Sequence, residues 1–140
     1  MLERRVLLSG HLETVVAAMD ALDFTRQPGG PGAQYSSQCC EREVGKAWAA
    51  FSAPDVPGGE PTPDAADMIA RSSVAADPEE QKRREEVRAD RLGIASGNWG
   101  CGVFGGDKFL KALLQAIAAT LADRPLLQYY TCATRSQRVF

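Results

Sequence analysis

The residues with the most chemical potential in this 140-residue chain are Gly97-Asn98-Trp99-Gly100-Cys101-Gly102-Val103-Phe104-Gly105-Gly106-Asp107. Five of these eleven are glycine. Without a Cβ, glycine reaches positive φ and lets backbone come close to a ligand. A helix with apolar periodicity follows directly, and a helix start offers unpaired N–H groups and the positive end of the dipole. Together they make an anion site of the kind that takes phosphate. A tight strand-to-helix turn that binds nothing has the same composition, so further residues must distinguish the two.

Familiar phosphate loops do not fit. Gly100-Cys101-Gly102-Val103-Phe104-Gly105 matches G-x-G-x-x-G. That fingerprint also needs an acidic residue about 20 positions on, at the end of the next strand. Asp123 precedes that strand, and Thr131 and Cys132 stand at its end, so no nicotinamide cofactor is expected. No Gly-Lys-Ser/Thr follows the spacer of a Walker loop, and Asp107 occupies the valine position of a kinase loop. Other candidates for chemistry are weaker. Glu79-Glu80 and Glu85-Glu86 lie among Lys82, Arg83, Arg84 and Arg88, which keep them ionised and solvated. They are assigned no catalytic role. Cys39, Cys40, Cys101 and Cys132 have no metal-type spacing, and His11 is the sole histidine, so no metal site is expected. Reduced thiols point to the cytosol or nucleus. Cys101 has no neighbouring histidine to activate it as a nucleophile.

The elements that position the loop follow from periodicity. Leu12, Val15, Val16, Met19 and Leu22 predict a helix over about 11–24. Pro28-Gly29-Gly30-Pro31-Gly32 breaks the chain. Val44, Ala47, Trp48 and Phe51 predict a second helix with those residues in the core and Glu41, Arg42, Glu43 and Lys46 facing water. Residues 53–78 are rich in proline and glycine and open a flexible insertion over 53–90, whose charged part from Glu79 to Arg91 reads as a solvated helix. Leu92 to Ser96 reads as a buried strand. Asp107 suits a helix N-cap. Leu110, Leu113, Leu114, Ile117, Ala118 and Leu121 make an apolar stripe that ends before Pro125, and Leu126 to Thr131 reads as a strand. Strand, loop, helix and strand form a βαβ unit with parallel strands, whose ligands bind beyond the carboxyl ends.

The loop and the Leu110-Lys111-Ala112-Leu113-Leu114-Gln115 start of its helix resemble the poly(ADP-ribose) glycohydrolase family. There a T-G-N-W-G-C-G-A-F-G-G-D loop runs into L-K-A-L-I-Q. Ser96 and Val103 depart from that pattern. Glu13 to Phe24 resembles the family's E-I-V-A-I-D-A-L-x-F helix with one extra residue, and Glu41 to Phe51 is similar to its E-L-N-K-A-Y-C-G-F helix. The resemblance implies an α/β, partial macrodomain-like fold, with the βαβ unit at the carboxyl end and helices packed before it. It implies a single partial catalytic domain over 1–140. It also implies that Asn98, Trp99, Gly100, Cys101, Gly102 and Val103 bind the diphosphate and adjacent ribose of ADP-ribose, supported by Phe104, Gly105 and Asp107. Backbone N–H groups suit phosphate oxygens, and the Asn98 amide suits a ribose hydroxyl or phosphate. Trp99 is expected to brace the loop, and Phe104 to pack beneath it, with packing against ribose as the alternative. The implied partners are poly(ADP-ribose), ADP-ribose and poly(ADP-ribosyl)ated proteins.

In that family catalysis depends on an upstream Gly-Gly-Gly run followed by a Gln-Glu-Glu triplet, whose second glutamate acts as general acid and then as base. Here Tyr35 and Ser36 follow Pro28 to Gln34 instead, and Cys132-Ala133-Thr134 replaces a Phe-Gly-Asp segment after the last strand. The chain therefore reads as the carboxyl-terminal part of the catalytic domain, with a non-catalytic ADP-ribose-binding module as the alternative. A half-domain of this kind leaves a sheet edge unpaired. The net charge of −2 gives no field for DNA, Met1 to Leu8 is not expected to be a signal peptide, and no run of 18 apolar residues occurs in the sequence.

Overall fold

A computed structural model describes residues 14–55, 77–89 and 91–131. A 3-10 helix, Gly30–Tyr35, leads into α1, Ser37–Phe51; then come α2, Pro78–Ala89, β1, Ile94–Gly97, α3, Lys108–Leu121, and β2, Leu127–Tyr130. β1 and β2 pair in parallel, with Ile94 opposite Leu127 and Gly97 opposite Tyr130. The βαβ unit at the carboxyl end is thus present, with α1 packed against α3. At the end of β1 only glycine fits: a Cβ on Gly97 would lie 2.6 Å from the Tyr130 carbonyl oxygen.

The core lies between α1 and α3. Ala47 and Phe51 meet Ala118, Ala119 and Ala122, while Val44, Trp48, Ile94, Trp99 and Leu127 pack around them. Alanine at these positions lets the two helix backbones approach closely, so Phe51 and the half-buried rings fill the remaining space. Asp107 caps α3, its carboxylate accepting from the Leu110 amide at 2.8 Å. Asp107→Ala should lower stability by about 1 kcal/mol, read as a shift of the urea midpoint at unchanged slope.

Four expectations need correction. Over 14–23 there is no helix. The amide of Leu22 goes to Glu43 Oε1 (3.1 Å) and that of Phe24 to the Phe104 carbonyl (2.9 Å), so tertiary partners take donors that a helix would use internally. Residues 11–13 lie outside the described residues, as do 56–76 of the insertion. Glu43 does not face water; it is buried beside Lys111. The apolar stripe of α3 splits, leaving Leu113 (58%) and Ile117 (41%) exposed while Leu114 and Ala118 are buried. Lys111 and Gln115 complete the buried face instead. Finally, β1 is half-exposed rather than buried, because among the described residues it pairs with β2 alone.

Candidate functional site

Between β1 and α3 the chain turns through left-handed backbone at Gly100 (φ 74°) and Gly105 (φ 67°). Four backbone hydrogen bonds hold the turn: Trp99 N–H to Gly97 O (2.7 Å), Cys101 N–H to Asn98 O (3.1 Å), Gly105 N–H to Gly102 O (3.1 Å) and Gly106 N–H to Gly100 O (3.0 Å). The loop's next amide, on Asp107, donates to Gln34 Oε1 at 2.7 Å. At the tip the arrangement reverses. The amides of Gly102, Val103 and Phe104 meet no acceptor among the described residues, and Val103 is 85% exposed. Donors left open at an exposed turn are the chemistry an oxyanion needs.

The loop is tied down from the side by segment 19–24. Trp99 Nε1–H donates to the Met19 carbonyl at 3.2 Å, giving the indole the partner it needs, and the Phe104 carbonyl accepts from Phe24. The Phe104 ring itself is exposed and does not pack beneath the loop as expected; its backbone makes the anchor. Asn98 is oriented by β2, because the Tyr129 hydroxyl donates to Asn98 Oδ1 at 3.3 Å. Its NH2 therefore remains a donor for another acceptor. Burial raises the Tyr129 phenol, which stays protonated to make that bond. Burial and the Asp107 carboxylate also raise the Cys101 thiol above its usual range. Both effects favour the thiol over the thiolate, the form that would act as a nucleophile.

Beneath the loop lies a buried ion pair that the sequence reading did not find. Lys111 Nζ contacts Glu43 Oε2, each residue only 1% exposed. The other oxygen, Oε1, accepts from the Leu22 amide and from Arg42 Nη1 (2.6 Å). Lys111 Nζ stands 4.0 Å from the Trp99 ring centroid and 5.6 Å from that of Phe24, within cation–π range of both. Burial lowers the Lys111 ammonium from 10.5 to about 8, with the charge of Arg42 adding to this. The touching Glu43 carboxylate works the other way and favours the charged form.

Asn98 through Val103, with Phe104, Gly105 and Asp107, therefore form one continuous surface loop. Asp107 modifies the expected electrostatics: its carboxylate already occupies the α3 N-terminus, so an anion must be met by the tip amides rather than by the helix end. A cavity of about 410 Å³ runs along β1, Thr14–Ala17 and Arg124, and none of Asn98–Val103 lines it. No cluster of metal-ligating side chains occurs among the described residues, and no helix among them is long and apolar enough to cross a membrane.

Gln34, Glu43, Lys111 and Gln115 are site-building residues missed from sequence. A signal existed. Glu43 shares its spacing with Ala47 and Phe51, and Lys111 and Gln115 share theirs with Leu114, Ala118 and Ala122. Each polar residue is therefore on an apolar helical face, with opposite charges on the two helices.

The family model described as "Poly (ADP-ribose) glycohydrolase (PARG), Macro domain fold" matches residues 4–139. Over 138 residues the chain is 36% identical to Probable poly(ADP-ribose) glycohydrolase 2 of Arabidopsis thaliana, covering 85% of this chain and 23% of that protein. Poly(ADP-ribose) glycohydrolase 1 of the same plant is 54% identical over 46 residues, 33% of this chain and 8% of the relative. Poly(ADP-ribose) glycohydrolase 1 of Caenorhabditis elegans is 64% identical over 33 residues, 24% of this chain and 4% of the relative. The matched regions thus span less than a quarter of these relatives. With a match across nearly its whole length, an α/β arrangement built on a parallel strand pair and the glycine loop between strand and helix, the chain belongs to the poly(ADP-ribose) glycohydrolase family.

Proposed function

We propose that this chain is the part of a poly(ADP-ribose) glycohydrolase that grips the diphosphate and adjacent ribose of ADP-ribose. The observation that carries this reading is the loop tip, where the Gly102 and Val103 amides are open beside an Asn98 side chain whose oxygen is already committed to Tyr129. Phosphate oxygens accept from the amides, and the Asn98 NH2 donates to a phosphate or ribose oxygen. Trp99 and the glycines shape the loop. Hydrolysis of the ribose–ribose bond needs a positioned carboxylic acid, worth about 10²–10⁴-fold in rate. The Gln-Glu-Glu signature that would supply it is not in this sequence, so this part binds, and cleavage requires carboxylates from elsewhere. Poly(ADP-ribosyl)ated proteins in the nucleus or cytoplasm are the corresponding partners.

Calorimetric titration with ADP-ribose tests the reading. Saturable binding is expected, and Asn98→Ala should weaken it by about tenfold, the equivalent of one hydrogen bond to a charged group. Incubation with poly(ADP-ribose) should release no ADP-ribose. Absence of heat at millimolar ligand removes the binding reading, and rapid release removes the division between grip and catalysis.

A further inference from the structure

The glycine loop rests on a buried charge. Besides touching Glu43 and standing 4.0 Å from the Trp99 ring, the end of Lys111 lies directly under the two glycines that close the loop. A Cβ on Gly100 would lie 3.3 Å from Lys111 Nζ, and one on Gly106 would lie 3.2 Å from Lys111 Cε. Those same glycines are joined by the Gly106-to-Gly100 hydrogen bond. The floor of the loop is therefore an ammonium group, with an indole on one side and a carboxylate on the other.

We propose that Lys111, clamped by Glu43, is a positioning residue: its ammonium holds Trp99 and the Gly100–Gly106 closure in the geometry that keeps the tip amides turned outward. The ligand consequence of this rests on the reading above that the loop grips ADP-ribose; the loop-ordering role does not. The physical argument is that a buried cation needs compensation from every side. Glu43 from α1 supplies the compensating charge, while Arg42 opposes the ammonium and is itself paired to Glu43 and to Asp20 of the 19–24 segment. The loop and that segment supply the rings of Trp99 and Phe24. Without the charge the indole loses its electrostatic reason to face the loop floor, and the hydrogen bond to Met19 O and its apolar packing are left to hold it. Hydrophobic packing between α1 and α3 does not depend on the pair, since the Ala47, Phe51, Ala118 and Ala122 contacts lie further along the helices.

The test uses the full chain and the double variant Lys111→Met/Glu43→Gln, which replaces the pair by neutral groups of similar size and leaves no lone charge. Such replacements commonly preserve a fold. Three readouts apply. Amide exchange at Cys101, Gly105 and Gly106, whose N–H groups close the loop, read by NMR, is expected to accelerate about tenfold or more, while the α1 and α3 amides keep their protection. ADP-ribose affinity is expected to fall about tenfold or more, with Lys111→Arg retaining part of it through its charge. In a Trp48→Phe background, the emission of Trp99 should show a step in the alkaline range as the Lys111 ammonium, disfavoured by burial and held by Glu43, loses its proton, absent from the double variant. Unchanged loop exchange in the double variant overturns the proposal. So does loss of the helical signature together with the loop, because the pair would then simply hold α1 to α3. If neither the parent chain nor any variant binds ADP-ribose, the ligand reading fails, yet accelerated loop exchange still supports the positioning role.

Discussion

Arg124→Ala is expected to destabilise the chain by about 3–5 kcal/mol, the loss seen when one partner of a buried, hydrogen-bonded charge pair is removed. Arg124 follows α3 and is buried. Its Nε–H donates to the Phe51 carbonyl (2.6 Å), Nη2 to that of Ala53 (2.5 Å), and Nη1 to that of Leu92 (3.3 Å) and to the Asp55 carboxylate. One guanidinium thus closes the end of α1 onto the entrance of β1. Alanine would take this donor from three carbonyls, each a desolvation cost, and leave the Asp55 carboxylate to the Leu92 amide and Arg91. Arg124→Lys should recover little, because an ammonium lacks the planar fork that reaches several acceptors at once. Arg88→Ala makes a useful comparison. Arg88 pairs with Asp123 at 3.4 Å from an exposed position, so its removal should change stability by less than about 1 kcal/mol. Urea unfolding followed by circular dichroism distinguishes the two. An Arg124→Ala midpoint close to that of Arg88→Ala would mean that the latch contributes nothing.

Gly106→Ala is the second large effect, and it acts on the site rather than on the core. Its Cβ would stand 2.7 Å from the Gly100 carbonyl oxygen, closer than carbon and oxygen tolerate, with Lys111 Cε immediately behind. The loop has to open, breaking the Gly106-to-Gly100 hydrogen bond that closes it. Overpacking of this kind costs about 1–3 kcal/mol. Under the proposed function, ADP-ribose affinity should fall by about tenfold or more, since the tip amides lose their common orientation. Gly100→Ala should behave similarly, through its positive φ and a contact of 2.8 Å with the Ala21 Cβ. Gly102→Ala is the control for stability, because nothing lies within 4 Å of the added methyl. Its melting temperature should stay near that of the parent, whereas Gly106→Ala should melt lower. Equal melting and equal affinity for all three would show that the closure is not needed.

The α3 element was legible because its signals are local. Asp107 begins it with a cap, apolar spacing carries it, and Pro125 forbids its continuation. The short strands were readable for the same reason, since the chain between them is just long enough for one crossover helix. The segment before Pro28 misled. Its apolar residues recur at helical spacing, yet spacing records only which side chains want burial. The backbone there is not helical, and Met19 O, Leu22 N and Phe24 N pair instead with Trp99, Glu43 and Phe104. Those partners are distant in sequence, and no local pattern announces them.

By itself the sequence determined the family, the parallel βαβ unit and the position of the glycine loop, because propensity, capping and glycine content act over a few residues. Tertiary structure alone decided which loop amides stay open, that Gln34 and the 19–24 segment tie the loop down, and that Glu43 and Lys111 are buried beneath it. The reason is that a charge on a helix reads as surface until an opposite charge meets it on another. Burial of an ion is a property of two residues brought together, and a linear chain presents them one at a time.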